Sequence, residues 1–276
     1  MNRKDIFRKI TGAGNSLRAV EKAALSNGAV LSSALVTTIP ATFGTGNIGR
    51  LAVNTVANRL LAAGALPRYV SATVTVDIDT PPDIIEAVAL GMRDAAVQAE
   101  MEWGTVESDI IPVGPANGIA ISMFGVGTRI TAVEGPMRCP QPGDAIIITG
   151  PVGATGAAIE GEKKGVEVIA PADGITMTDV MRAAFANTPR LSAALYPIHG
   201  IDESLDLVGV KATVNADKVP VLPAVKAACE VMNLNPLSLA TADAMLLAVA
   251  PDRAQGLIDA LQRYPGGEQA AVIGFV

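Results

Sequence analysis

The order of apolar and polar positions predicts alternating strands and helices from residue 29 to the end of the chain. Residues 29 to 39 alternate small apolar and hydroxyl side chains and predict a strand ended by Pro40. From Ile48 to Ala63, Val53, Val56, Ala57, Leu60 and Leu61 recur at helical spacing, with Gly64 placed to end the helix. The opposite edge of that helix carries Arg50, Asn54 and Asn58 at four-residue intervals. Residues 69 to 79 alternate again: Val74, Val76 and Ile78 on one face, Thr73, Thr75, Asp77 and Asp79 on the other. Thr80-Pro81 predicts the next helix start, with Thr80 as N-cap, and the helix runs to about Glu102. Strands are predicted over 104–113 and 117–130, the first begun by Trp103, which reads as core.

The second half opens on Asp144-Ala145-Ile146-Ile147-Ile148-Thr149, a strand of buried character, and Gly150-Pro151-Val152-Gly153 turns into a helix. An irregular charged stretch spans 160–175, followed by a helix over 176–194 and a loop containing Tyr196-Pro197-Ile198-His199-Gly200. The remainder reads strand (207–214), helix (221–232), strand (244–250), helix (252–263) and strand (269–275). One helix, interrupted around Thr11-Gly12-Ala13-Gly14, is predicted in the first 25 residues. Between 134 and 143, Gly, Pro, Cys and Gln accumulate without periodicity. This marks a boundary between a domain over residues 1–135 and one over 136–276. Strands and helices mix without strict βαβ order, so the fold class is α+β.

Composition narrows the function classes. Half of the 276 residues are hydrophobic and only 3% are aromatic, so the core is aliphatic. The net charge of −6 argues against a nucleic-acid or anionic-membrane surface. No run approaches the roughly 18 apolar residues of a membrane span, and no signal peptide stands at the N-terminus. Two cysteines, Cys139 and Cys229, read as thiols of a reducing cytoplasm.

Several segments, taken in order, carry a family resemblance. They are Gly49-Arg50-Leu51-Ala52-Val53-Asn54, Ala63-Gly64-Ala65-Leu66-Pro67-Arg68-Tyr69, Pro142-Gly143-Asp144 through Gly153, Val219-Pro220-Val221, Ala227-Ala228-Cys229, Asn235-Pro236-Leu237 and Ala271-Val272-Ile273-Gly274. Together they resemble the aminoimidazole-ribonucleotide-synthase-related superfamily, above all its hydrogenase-maturation carbamoyl dehydratases. The resemblance implies two α+β domains, a homodimer made through the N-terminal one, and a Mg-ATP site that activates a carbonyl or amide oxygen. Mg²⁺ and triphosphate together require carboxylates.

At the positions where the family carries those acids, this chain departs from it. Asn27-Gly28 stands for an Asp-rich turn, and Ala34 and Asn47 each stand where an Asp is expected. Arg59 replaces the Asp that follows the helix asparagine, here Asn58. Ala154-Thr155 replaces Asp-His, Tyr196-Pro197-Ile198-His199-Gly200 an Asp-Pro-Thr-Arg-Gly loop, and Thr241-Ala242-Asp243-Ala244 an Asn/Ser-Glu-Gly-Lys segment. Asp109 does match the acid of the family's Gly-Asp-Thr strand, and Glu107 stands beside it. The sequence ends at Val276, short of the family's C-terminal tail with its carbamoyl-bearing Cys.

The expectation is a divergent dehydratase-like protein with a degraded Mg-ATP site. It would act as a homodimeric binding or accessory protein, with a maturation protein as partner. The alternative is an ATP-dependent enzyme that phosphorylates a carbonyl or amide oxygen. Arg50, Asn54, Asn58 and Arg59 are the nucleotide or anion candidates, because Arg holds phosphate oxygens without a metal; all four also read as solvated helix residues. Asp109 is the metal candidate. His199, with Asp202 near it in sequence, could serve as a base or be an ordinary loop histidine. Strand alternation and the helix start account for Asp77, Asp79, Asp83 and Glu86. Gly12, Gly14, Gly44 and Gly46 could line a phosphate loop.

Overall fold

Alternation in the first half lays down a four-stranded sheet in the computed structural model, which describes residues 28–36, 40–112, 118–130, 140–188, 191–207 and 211–276. The expected N-terminal helix, with Gly12 and Gly14, and Cys139 lie outside the described residues, as does most of the 134–143 boundary. The sheet order is β1 (Ala29–Val36), β6 (Ile119–Arg129), β4 (Ala65–Asp77), β5 (Glu102–Ile111). Only β4 and β5 pair in parallel, and helix α2 (Pro82–Gln98) supplies the crossover that a parallel pair requires. A two-residue ladder joins β2 (Thr42–Phe43) to β3 (Gly46–Asn47), directly ahead of helix α1 (Ile48–Ala62).

The second sheet draws all its strands from residues 145–275. Its order is β8 (Ala193–Leu195), β10 (Leu246–Val249), β7 (Ala145–Ile148), β11 (Ala271–Phe275), β9 (Thr213–Val214), with every pairing antiparallel. Central strand β7 is buried on both faces: Ile147 joins the main core, while Ile146 and Ile148 join a second cluster with Leu195, Ile201 and Leu205. That two-sided burial explains its continuous apolar run. Helices α3 (Ala154–Lys164), α4 (Thr178–Asn187), α5 (Ile201–Leu207), α6 (Pro223–Met232) and α7 (Pro251–Leu261) belong to this half. The mixed helices and largely antiparallel sheets are α+β, as the sequence predicts.

α1 is the element on which the halves meet. Thirteen of its 15 residues are buried, so it has no solvent face of consequence. One side packs on the inner face of the first sheet, where a Cβ on Gly125 would collide with Val56. The other side meets residues of the second half.

Four local expectations change. The helix expected to reach Glu102 ends at Gln98, because Glu100 turns the chain in the left-handed conformation at φ +54°. Thr80 does not cap that helix: its hydroxyl donates to the Gly118 carbonyl at 2.9 Å, and the helix begins at Pro82. The helix expected over 176–194 stops at Asn187, since Thr188 precedes a proline and takes an extended φ of −140°; the freed residues form β8. The strand expected over 207–214 shrinks to β9, and α5 takes up residue 207, with Asp202 and Glu203 favourably placed in its first turn.

Close helix crossing depends on Gly49, whose added Cβ would press against the backbone carbonyl of Val88 in α2. Gly49→Ala would gain about 1 kcal/mol of helix propensity. Forcing two backbones apart costs more, about 1–3 kcal/mol. We expect a net loss of up to about 2 kcal/mol in urea unfolding; a stabilised variant would contradict this crossing.

Candidate functional site

The site is built from the start of α1 onward. Asn47 caps the helix by accepting the Arg50 backbone N–H at 3.0 Å, and its own backbone N–H donates to Asp173 Oδ2 at 3.2 Å. The carboxylate of Asp173 thus lies at the positive end of a 15-residue helix. Burial raises the pKa of Asp173; the Asn47 N–H and the Arg50 charge work against that rise. Gly46 lets Asp173 approach, since a Cβ there would stand 2.7 Å from the Asp173 Cβ. Arg50 is engaged on three sides: Nε lies 3.5 Å from Asp173, the guanidinium 4.0 Å from Asp94, and it donates to Gln98 at 2.9 Å.

Asn54 and Asn58 do not form the solvated edge that their spacing suggests, for both are fully buried. Asn54 Nδ2 donates to the carbonyls of Gly174 at 2.8 Å and Asp173 at 3.2 Å, and its Oδ1 accepts from the Thr176 hydroxyl at 3.1 Å. Asn58 Nδ2 donates to the Ile175 carbonyl at 2.9 Å, and its Oδ1 accepts the Met177 N–H at 2.9 Å. Both amides are therefore spent on the backbone of residues 173–177, which would otherwise bury unmatched polar groups.

Arg59 lies nine residues after Arg50, which is half a turn away around α1 and about 13 Å along its axis. The two guanidiniums do not converge on one anion. Arg59 instead donates to the Ser33 carbonyl on β1 at 2.6 Å. Burial lowers its pKa, and the Tyr196 hydroxyl partly opposes this. Tyr196 is buried and donates to the Ala242 carbonyl at 3.1 Å. Burial pushes its phenol far above the ordinary range, while Thr55 and Asn58 pull it back.

Beside these groups stands Asp243. An edge of the residue reaches solvent, but Oδ1 is sealed and has no hydrogen-bond partner among the described residues. Burial raises its carboxyl to about 6; its own backbone N–H opposes the rise and the charge of Asp173 adds to it.

Asp109 lies elsewhere. It is exposed on edge strand β5, in register with Thr75, on the face of the first sheet turned away from α1. Among the described residues no group of three or more His, Cys, Asp or Glu side chains could hold a metal ion. Asp77 is buried and accepts the Gly118 N–H at 3.0 Å, and Ile78, expected on a core face, is 67% exposed. His199 is exposed, Cys229 is buried, and Trp103 packs half-buried against the core. Asp173, Tyr196 and Asp243 are polar groups of this junction that sequence reasoning did not select. The usable signal was a single acid set among alanines, as in Ala242-Asp243-Ala244, immediately before a buried strand.

Asn58→Ala should remove one donor and one acceptor that cross the junction. Leaving the Met177 N–H and the Ile175 carbonyl buried and unmatched costs about 2–4 kcal/mol. Denaturant unfolding checks this; a loss under about 0.5 kcal/mol would mean that the junction is not held there.

No family model matches the chain. Carbamoyl dehydratase HypE of Bradyrhizobium diazoefficiens is 30% identical over 251 residues, covering 85% of this chain and 70% of that protein. A hydrogenase maturation protein HypE solved in complex with ATP is 27% identical at a TM-score of 0.83, over 91% of this chain and 77% of the other. A HypE–HypF complex gives a TM-score of 0.87 at 24% identity, over 98% of this chain and 91% of the matched one; it shows the fold. At this identity and coverage, and with a solved HypE of the same fold, the chain belongs to the HypE family of hydrogenase maturation proteins.

Proposed function

We propose that this chain is a divergent HypE relative whose Mg-ATP site is degraded, and that it acts as a homodimeric binding or accessory protein in hydrogenase-type metal-cofactor maturation. The observation that carries the reading is Arg59. A cation, half-buried and bonded to the Ser33 carbonyl, occupies the position where the family resemblance places an acid. Around it the expected oxygen ligands are gone: Ala34 has none to give, and the Asn47 side chain is committed to capping α1. The remaining match, Asp109, lies on the far face of the sheet. This donor set does not fit Mg²⁺, which takes carboxylate and water oxygens in octahedral array. No phosphoryl-transfer step is therefore assigned to the chain.

The outward face of the first sheet supports the dimer. Cross-strand register places Leu35, Phe124 and Tyr69 on that face, and they are 70%, 45% and 52% exposed. A self-complementary apolar sheet face suits a two-fold pairing with a second copy. The partner reading leans on the HypE solved with HypF and names a maturation protein as the class. Among the described residues no helix is long and apolar enough to cross a membrane.

Thermal unfolding with millimolar Mg-ATP, and with ATP plus a chelator, tests the degraded site. A ligand at about 100 times its Kd adds about 2.7 kcal/mol, a shift of a few degrees. We expect no Mg²⁺-dependent shift. A Mg²⁺-dependent rise would favour the alternative, an ATP-using enzyme acting on a carbonyl or amide oxygen, for which the ATP-bound relative is the precedent. Sedimentation tests the dimer: the wild type should run as a dimer, and Leu35→Glu with Phe124→Glu should yield a folded monomer. A monomeric wild type would sink the dimer reading.

A further inference from the structure

The junction between α1 and the second half holds one carboxylate that nothing so far employs. Asp243 follows Ala242, whose carbonyl accepts from Tyr196 Oη and whose N–H donates to Thr155 Oγ1 at 3.2 Å. Asn58 also reaches the Ala242 carbonyl, at 3.5 Å. A Cβ on Gly174 would stand 2.5 Å from that carbonyl, so the 173–177 segment and residues 241–243 are packed backbone to backbone. The Asn58 tie between α1 and the second half lies beside these residues, and among the described residues Asp243 Oδ1 is sealed there without a donor.

We propose that Asp243 is a proton-operated latch on this junction: when its carboxyl is neutral, residues 173–177 and 241–243 close on α1, and when it is charged they loosen. The proposal does not depend on the nucleotide reading. Among the described residues, charged and titratable groups face Asp243 from several packed elements, and the exposed His199 stands on the loop whose Pro197 carbonyl accepts the Thr241 N–H. Asp173, from the segment ahead of α4, repels the carboxylate. Tyr196, after β8, stays protonated, so it adds no charge. On α1, Arg50 is bound to Asp173 and Arg59 to Ser33, so neither cation is turned on Asp243 Oδ1. The ionised carboxylate therefore has a buried oxygen facing a like charge, and local opening that lets water reach it relieves both costs.

The direction with pH follows from the raised carboxyl. The folded junction binds the proton more tightly than the unfolded chain does. The stabilisation is complete below the ordinary carboxylate value of about 4. It is lost as pH rises through about 6. A shift of about two units allows up to about a 100-fold change in the opening equilibrium. The raised carboxyl of Asp173 acts in the same direction, so the Asp243 variant isolates the part that belongs to the latch.

Amide hydrogen exchange of peptides covering 173–177, corrected for intrinsic rate, reads the opening directly at about pH 5 and about pH 7.5. In the full chain, protection should be about ten times lower at the higher pH, since part of the stabilisation is already lost at pH 5. Asp243→Asn, which cannot ionise, should keep only the part of the pH dependence that Asp173 contributes. Equal protection at both pH values in the wild type would overturn the proposal without reference to any variant. So would a pH dependence that survives intact in Asp243→Asn.

Discussion

Two asparagine side chains fasten the structure across its middle. α1 is buried on both sides, so each polar group on it must find a partner inside the protein or carry a desolvation cost. Asn54 and Asn58 solve this by gripping the backbone of residues 173–177, a segment about 120 positions away in sequence. Because a primary amide donates and accepts at once, each can bind both a carbonyl and an N–H or hydroxyl. The helix start is held from the same segment, through Asp173 on Asn47 and Arg50. Most side chains that the sequence offers as ligand groups are thus structural ties between two sheets.

The same constraint explains what was legible in the chain. β4, β6 and α2 announce themselves through period, because each buries one defined face; β7 shows instead as a continuous apolar run, and α1 through the period of the face it packs on the first sheet. The resemblance to the maturation family placed the architecture, and the chain's segments follow it in order. What period did not reveal was burial of a second face. Arg50, Asn54 and Asn58 look like a wet helix edge only while the second half is out of view. β8 and α5 were missed for a local reason: each is short, and each begins where a boundary residue such as Thr188 or Gly200 interrupts a longer apparent run. Asp243 stood in a segment that departs from the family pattern, but a lone acid in an alanine-rich turn carries no motif that marks it as a site residue.

The charge pattern around α1 separates this chain from the chemistry that its family resemblance implies. Arginine stands where an acid is expected, alanine and a helix-capping asparagine stand at two further positions, and an acid appears at 243 with no metal partner set around it. These changes fit together physically. Arg59 and Tyr196 are each tied to a backbone carbonyl instead of facing a metal or an anion among the described residues.

The most direct test of that account is paramagnetic resonance of Mn²⁺ with ATP, since Mn²⁺ takes the same oxygen ligands as Mg²⁺. Purified protein added to Mn²⁺–ATP should leave the spectrum that of the free complex. A protein-bound Mn²⁺–nucleotide signal that saturates at one site per chain would contradict it, and would mean that this chain assembles a metal shell from ligands other than those at the family positions.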